Sequence, residues 1–165
     1  MELPTRKTMR LKEYDYASNG AYFITVCVQN RRELLGKIAV GDAHLGVPML
    51  RLNETGDMVK THIENINRVY SNIAVQKFVV MPNHIHMILL ITHERDAQCA
   101  SPTKSVVSKV VNALKSLTSR QFGKTLWQRS YFDHIIRSEA DYQRIWLYID
   151  ENPINWAKDE YFIRA

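Results

Sequence analysis

Two apolar segments separated by three residues place the strongest constraint on how this chain folds. The first is IAVQKFVV (73–80) and the second is HIHMILLI (84–91), and both are rich in the β-branched residues that favour strands. The tripeptide MPN between them leaves room only for a tight turn, so the pair predicts an antiparallel hairpin. Side chains at i and i+2 of a strand share one face, so His84 and His86 project side by side just after the turn.

Two neighbouring imidazoles at the end of an apolar strand are suited to binding one metal ion. Their Cα atoms are expected to lie about 6–7 Å apart, which allows both rings to converge. Histidines that only cap the hairpin with hydrogen bonds explain the pattern equally well. The pair is also incomplete as a metal site, because an open catalytic site usually takes about three ligands from the protein.

The remaining periodicities predict a ferredoxin-like α+β fold. Strand, helix, strand, strand, helix, strand is the β-α-β-β-α-β order, with an antiparallel sheet and helices on one face, and a further helix follows at the C-terminus. The segment from Lys37 to Leu52 is predicted as either a small hairpin or an ordered loop. The other predicted elements are a first strand at 20–30, a helix at 53–69 with Asn53 as its N-cap, a helix at 104–122, a fourth strand at 126–137 and the last helix at 139–152.

Length and composition fit one globular domain over residues 1–165, with residues 1–13 as a basic arm. No apolar run is long enough to span a bilayer, and the N-terminus lacks the apolar core of a secretory signal. The two cysteines form no CxxC pair, which favours free thiols in a reducing cytoplasm. A net charge of +5 permits a polyanionic partner without requiring one.

The last helix carries an unusual polar face. Arg144, Tyr148 and Asn152 follow at i, i+4 and i+8, so a guanidinium, a phenol and a carboxamide share one side. If Asn152 joined the two histidines around a metal, the Tyr148 hydroxyl would lie within reach of that metal. Tyr131 is the rival candidate for a reactive tyrosine.

Four segments of the chain resemble one family. MPNHIHMILLI is similar to the His-hydrophobic-His motif of HUH endonucleases, and YIDENP is similar to the tyrosine-helix segment of their single-tyrosine branch. With GAYFITVCVQNR and WQRSYFDHIIRSEADY, the resemblance extends from about Arg10 to Pro153. It is to the REP-associated tyrosine transposases, bacterial relatives of the insertion-sequence transposases that act on single-stranded DNA.

The resemblance implies a metal-dependent endonuclease and strand transferase that acts on single-stranded hairpin DNA of the repetitive extragenic palindrome type. It implies Mg²⁺ or Mn²⁺ held by His84, His86 and Asn152, and Tyr148 as the nucleophile that forms a 5′-phosphotyrosine. It favours a cytoplasmic, nucleoid-associated monomer over a homodimer. His134, Arg137 and Arg144 are expected to lie around the residues of the site without contacting the metal.

Single-strand binders combine cationic tracks with aromatic platforms. The candidates for such contacts are Arg6, Lys7, Arg10, Lys12, Arg31, Arg32, Trp127 and Arg129.

Three alternatives stay open at this stage. The chain could be an HUH replication initiator or relaxase-like nickase, or a ferredoxin-like nucleic-acid-binding module whose histidines are structural. It could also be a zinc hydrolase that uses a carboxylate with the histidine pair, but no HExxH motif is present and the nearest acid in the sequence, Glu94, lies past the strand end.

Overall fold

Six strands and three α-helices form in the residues that this computed structural model describes, which are 20–40, 46–92 and 106–163. The basic arm (1–13) and Glu94 lie outside these residues. The elements are β1 (Gly20–Cys27), β2 (Gly36–Val40), β3 (Pro48–Leu52), α1 (Glu54–Val69), β4 (Ile73–Val80), β5 (His84–Ile91), α2 (Val106–Phe122), β6 (Phe132–Ile136) and α3 (Glu139–Glu151).

The main sheet confirms the ferredoxin-like prediction. Its order is β4-β5-β1-β6, and every neighbouring pair is antiparallel. The predicted hairpin is present, since β4 and β5 pair directly across the short MPN connection. The alternatives for Lys37 to Leu52 resolve as a hairpin, because β2 and β3 pair with each other in a separate two-stranded sheet.

The two faces of the main sheet carry different layers. Tyr22, Ile24 and Val26 of β1 point into the large core, where α1 and α2 pack. The alternate residues point to the other face, where Phe23 and Ile88 pack against Ile145 and Ile149 of α3. Since His84 and His86 alternate with the core residues Ile85 and Met87, both histidines face the side that α3 covers.

Side-chain caps fix the ends of the helices. The Asn53 carboxamide oxygen accepts from the Gly56 N–H at 3.0 Å, which confirms Asn53 as the N-cap of α1. Ser138 caps α3 in the same way, accepting from the Asp141 N–H at 3.1 Å. Gly123 follows α2 with a φ of +85°, a conformation that glycine adopts without strain.

In the described residues, no helix is both long and apolar enough to cross a membrane.

Two predicted strands are too long. The first ends at Cys27, and Val28 pairs only as an isolated bridge with Trp127. The fourth begins at Phe132 rather than 126. The Leu126 carbonyl accepts from the Gln29 N–H and the Gln128 N–H donates to the Cys27 carbonyl, and Tyr131 turns into the core.

The prediction that Trp127 stacks on DNA bases is wrong. Its side chain is only 2% exposed, and its indole N–H donates to the Thr118 hydroxyl of α2 at 2.7 Å. A ring enclosed on all sides offers no face to a base, so Trp127 is a core residue.

Candidate active site

The two histidines converge as their spacing predicted. The Nε2 atoms of His84 and His86 lie 2.9 Å apart, and both side chains are fully buried. Burial, together with the positive charge of Arg31, lowers the pKa of His84 to about 3, although the Asn152 amide opposes this shift. Burial and then the proximity of His84 lower the pKa of His86 well below its usual value. Both rings are therefore neutral at physiological pH, the form in which imidazole binds metals.

Neighbouring side chains fix the orientation of both rings. His84 Nδ1 lies 2.8 Å from Asn83 Oδ1, and the Asn83 amide nitrogen donates to the carbonyls of Arg31 and Tyr161. Because the Asn83 oxygen can only accept, His84 carries its proton on Nδ1, which leaves a lone pair on Nε2. His86 Nδ1 lies 2.8 Å from the Thr25 hydroxyl on the adjacent strand.

Tyr148 stands directly beside this pair. Its hydroxyl oxygen lies 3.4 Å from His86 Nε2, and its ring is 5.2 Å from the His86 ring. The side chain is about one-third exposed, at 37%, so a phenol next to two buried imidazoles is still open to solvent. Burial, followed by the charges of Asp159 and Glu160, raises the pKa of Tyr148 to about 12.

Asp159 adds a carboxylate that the sequence did not single out. A carboxylate oxygen of Asp159 and one nitrogen from each histidine all lie within 4.8 Å of one another. The Asn152 amide nitrogen donates to Asp159 Oδ2 at 2.7 Å. In the part of the chain that the structure describes, the buried Asn152 Oδ1 makes no hydrogen bond, although the amide is close enough to affect the pKa values of His84 and Tyr148.

This donor set fits a divalent ion. Two ligand atoms at right angles, each about 2.1 Å from an ion, are separated by about 3 Å, which matches the distance between the histidine nitrogens. Two imidazoles and a carboxylate suit a transition-metal ion such as Mn²⁺, and the carboxylate also suits Mg²⁺. The unbonded Asn152 oxygen is a further donor of the kind that such ions accept.

The residues after Pro153 return to the site and form part of its wall. The Tyr161 ring lies 4.6 Å from the His84 ring, and the Trp156 ring lies 5.9 Å from it. Arg31 holds this segment, because its guanidinium donates to the Glu160 carbonyl at 3.1 Å and lies 5.2 Å from the Tyr161 ring. Arg31, predicted as a DNA contact, therefore contacts the C-terminal segment in this structure.

A cavity of about 650 Å³ opens next to Tyr148 and His86. Arg144, Tyr148 and Asn152 all line it, so the three side chains do share one face of α3. His134 also lines the cavity, whereas Arg137 is exposed beyond β6 and does not.

The other predicted residues do not line this cavity. Arg32 and Arg129 are exposed. Tyr131 is buried in the core with its hydroxyl 3.0 Å from Ser108 of α2, on the opposite side of the sheet from His84 and His86. A buried phenol on that side cannot reach the cavity, so the structure removes Tyr131 as the rival nucleophile.

Comparison with known proteins decides the family. Residues 17–152 match the family described as Transposase IS200 like. The chain belongs to this family of transposases. It is 33% identical over 175 residues to an uncharacterized protein of Haemophilus influenzae, covering 96% of this chain and 93% of that one.

The resemblance to REP-associated tyrosine transposases is confirmed by two further matches. One such transposase of Escherichia coli K12 is 26% identical over 145 residues, covering 87% of this chain and 73% of that one. The solved structure of a REP-associated tyrosine transposase bound to a REP hairpin superposes with a TM-score of 0.59 at 21% identity. That match covers 93% of this chain and 75% of the solved one, and it supports the ferredoxin-like fold.

Proposed function

We propose that this IS200-like transposase cleaves and rejoins single-stranded DNA at hairpins through a covalent bond to Tyr148. One observation carries the proposal. The Tyr148 hydroxyl is open to solvent, and it lies 3.4 Å from a buried, neutral histidine pair whose nitrogens are spaced to hold one ion. The solved REP-associated tyrosine transposase that shares this fold is bound to a REP hairpin, which supports hairpin DNA of the repetitive extragenic palindrome type as the substrate.

The reaction is an in-line displacement at phosphorus. The Tyr148 oxygen forms a bond to the scissile phosphorus while the bond to the 3′-oxygen breaks, and the leaving oxygen takes up a proton as a 3′-hydroxyl. The DNA 5′ end is then held as a phosphotyrosine. Because the phosphodiester energy is retained in that bond, a 3′-hydroxyl can attack it and rejoin the strands without ATP.

His84, His86 and Asp159 would hold Mg²⁺ or Mn²⁺, with Asn152 beside them. The ion would supply positive charge that stabilises both the Tyr148 phenolate and the charge that builds on the phosphate oxygens. Positive charge is needed there because burial and the carboxylates of Asp159 and Glu160 raise the pKa of the Tyr148 phenol to about 12. At neutral pH such a phenol remains protonated unless a cation lies close to its oxygen.

Covalent capture tests the proposal. The protein is incubated with Mn²⁺ and a single-stranded hairpin that carries unpaired flanks, and adducts are separated on a denaturing gel. Wild type should form an adduct that Tyr148→Phe and His84→Ala abolish and that Tyr131→Phe, the matched tyrosine control, retains. An adduct that survives Tyr148→Phe would contradict the assignment of the nucleophile. Tight binding without metal and without any adduct would instead favour the nucleic-acid-binding module.

A further inference from the structure

A second polar cluster, formed by His134 of β6 with Asp141 and Arg144 of α3, lies beside the cavity, and Arg144 is one helical turn before Tyr148. The two oxygens of Asp141 accept separately from His134 Nε2 at 2.7 Å and from Arg144 Nη2 at 2.6 Å. Asp141 is the shielded member, with 19% of its side chain exposed against 41% for His134 and 70% for Arg144. His134 and Arg144 line the cavity and Asp141 does not, so two donors stand in front of the carboxylate that orients them.

The cluster retains donors for a ligand. An arginine side chain has five N–H groups, and the described contacts of Arg144 use one nitrogen for Asp141. His134 donates to the same carboxylate through Nε2, so its Nδ1 donates to a phosphate oxygen only when the imidazole is protonated. Hydrogen bonds from His134 and then from Arg144 lower the pKa of Asp141, so its charge is permanent at neutral pH and keeps both donors in place.

An exposed aromatic side chain completes this part of the cavity. Phe132 on the edge strand β6 pairs with Thr25, which in turn pairs with His86, so the three residues form one row across the sheet. Neighbouring strands are about 4.8 Å apart, which places the Cα of Phe132 roughly 10 Å from that of His86. Phe132 is 41% exposed, lines the cavity and follows the side-chain direction of His134 two residues on. A large apolar ring thus lies beside the Arg144 guanidinium and the His134 imidazole.

We propose that Phe132, His134 and Arg144 form a subsite for the nucleotide next to the scissile phosphate. Arg144 binds the phosphate of that nucleotide, the protonated His134 imidazole adds a second donor to it, the Phe132 ring stacks on its base, and Asp141 positions the Arg144 and His134 side chains. The inference rests on the proposed function. The spacing supports it, because Arg144 and Tyr148 are i and i+4 on one helix, about 5–6 Å apart at Cβ, so the guanidinium lies on the helical turn next to the residue whose oxygen attacks. Base stacking on an aromatic ring also accepts any base, as expected beside a cleavage site.

The test replaces single phosphates of the hairpin substrate by uncharged methylphosphonates, at the two positions on each side of the scissile phosphate. Binding is measured by fluorescence anisotropy in the Tyr148→Phe background, where no cleavage interferes, and adduct formation is measured separately with Tyr148 intact. Each substrate is compared between the parent protein, Arg144→Ala and His134→Gln. Arg68→Ala serves as the matched control, because Arg68 is an exposed helical arginine on α1, across the sheet from the cavity.

One methylphosphonate position should weaken binding by about tenfold to a hundredfold in the parent protein. A methylphosphonate at that position should weaken DNA binding by Arg144→Ala only slightly, whereas it should weaken binding by Arg68→Ala as much as it weakens binding by the parent. An abasic nucleotide should likewise cost the parent about tenfold and cost Phe132→Leu little. The subsite would be overturned if the methylphosphonate weakened binding by Arg144→Ala, and the abasic nucleotide weakened binding by Phe132→Leu, as much as each weakens binding by the parent protein. It would also be overturned if no methylphosphonate position weakened binding by the parent. Absence of an adduct with intact Tyr148 would overturn the proposed function instead, and the binding cycle would still decide the subsite.

Discussion

Mild acid should destabilise the metal-free protein through His84. In an unfolded chain a histidine protonates near pH 6.5, whereas burial lowers the pKa of folded His84 to about 3. Between these values the unfolded state binds the proton and the folded state does not. The free energy of unfolding is therefore highest above pH 6.5 and falls as the pH drops towards 3.

The magnitude follows from the size of this shift. At pH 5 the solution is about 1.5 units below the unfolded pKa, so His84 alone lowers the free energy of unfolding by about 2 kcal/mol. His86 acts in the same direction, since its pKa is also lowered well below the usual value. Because small domains have only about 5–15 kcal/mol of stability, this loss is large enough to measure.

Urea unfolding followed by circular dichroism, in EDTA at pH 7.5 and pH 5.0, provides the assay. His84→Gln removes the titrating group, so its loss of stability between the two pH values should be about 2 kcal/mol smaller than that of wild type. His62→Gln is the matched control, because His62 lies at the surface and bonds Gln121 across the two helices. The reasoning is refuted if His84→Gln and wild type lose the same stability.

Two other predictions concern the candidate metal site and the space around two glycines. Asp159→Asn should weaken Mn²⁺ binding in calorimetry by roughly tenfold or more, whereas Asp150→Asn, whose carboxylate pairs with Lys77 of β4, should not. Equal affinities of the wild type and Asp159→Asn would exclude Asp159 as a ligand. Gly56→Ala should cost about 1–3 kcal/mol in urea unfolding, because a methyl group there would clash with the Leu35 carbonyl. Gly123→Ala meets no neighbouring atom and should cost about 1 kcal/mol through its positive φ alone, so a reversed order would refute the packing argument.

Local periodicity was enough to predict the two elements that carry the candidate site. A strand repeats every two residues, so His84 and His86 had to share a face whatever the rest of the chain did. A helix brings i and i+4 together, so Tyr148 and Asn152 had to lie on one side of α3. That these two faces meet depends on Phe23 packing against Ile145 and Ile149 of α3, a contact between distant parts of the sequence.

Local pattern failed where the environment of a residue is set by distant partners. Trp127 lies in a stretch with arginine and glutamine neighbours that reads equally well as an exposed strand. Its burial depends on Thr118 of α2 and on a bridge to Val28, neither of which a local pattern reveals. The same bridge shortened the fourth strand, because the backbone around Leu126 bonds to the end of β1 instead of continuing the β6 ladder.

Asp159 is the clearest case of a site residue that no helical or strand periodicity in the sequence indicates. Helix α3 ends at Glu151, and Pro153 prevents its continuation, so the spacing from Asn152 to Asp159 has no helical meaning. The two side chains meet because the chain turns back through a short 3₁₀ helix whose Trp156 is buried next to His84. Asn152, predicted as a ligand from helix spacing, is thereby bonded through its nitrogen to the carboxylate and keeps its oxygen unbonded within the described residues. An amide with this arrangement can hold Asp159 in place and still offer its oxygen to the same ion, so the helix position and the returning segment contribute to one site.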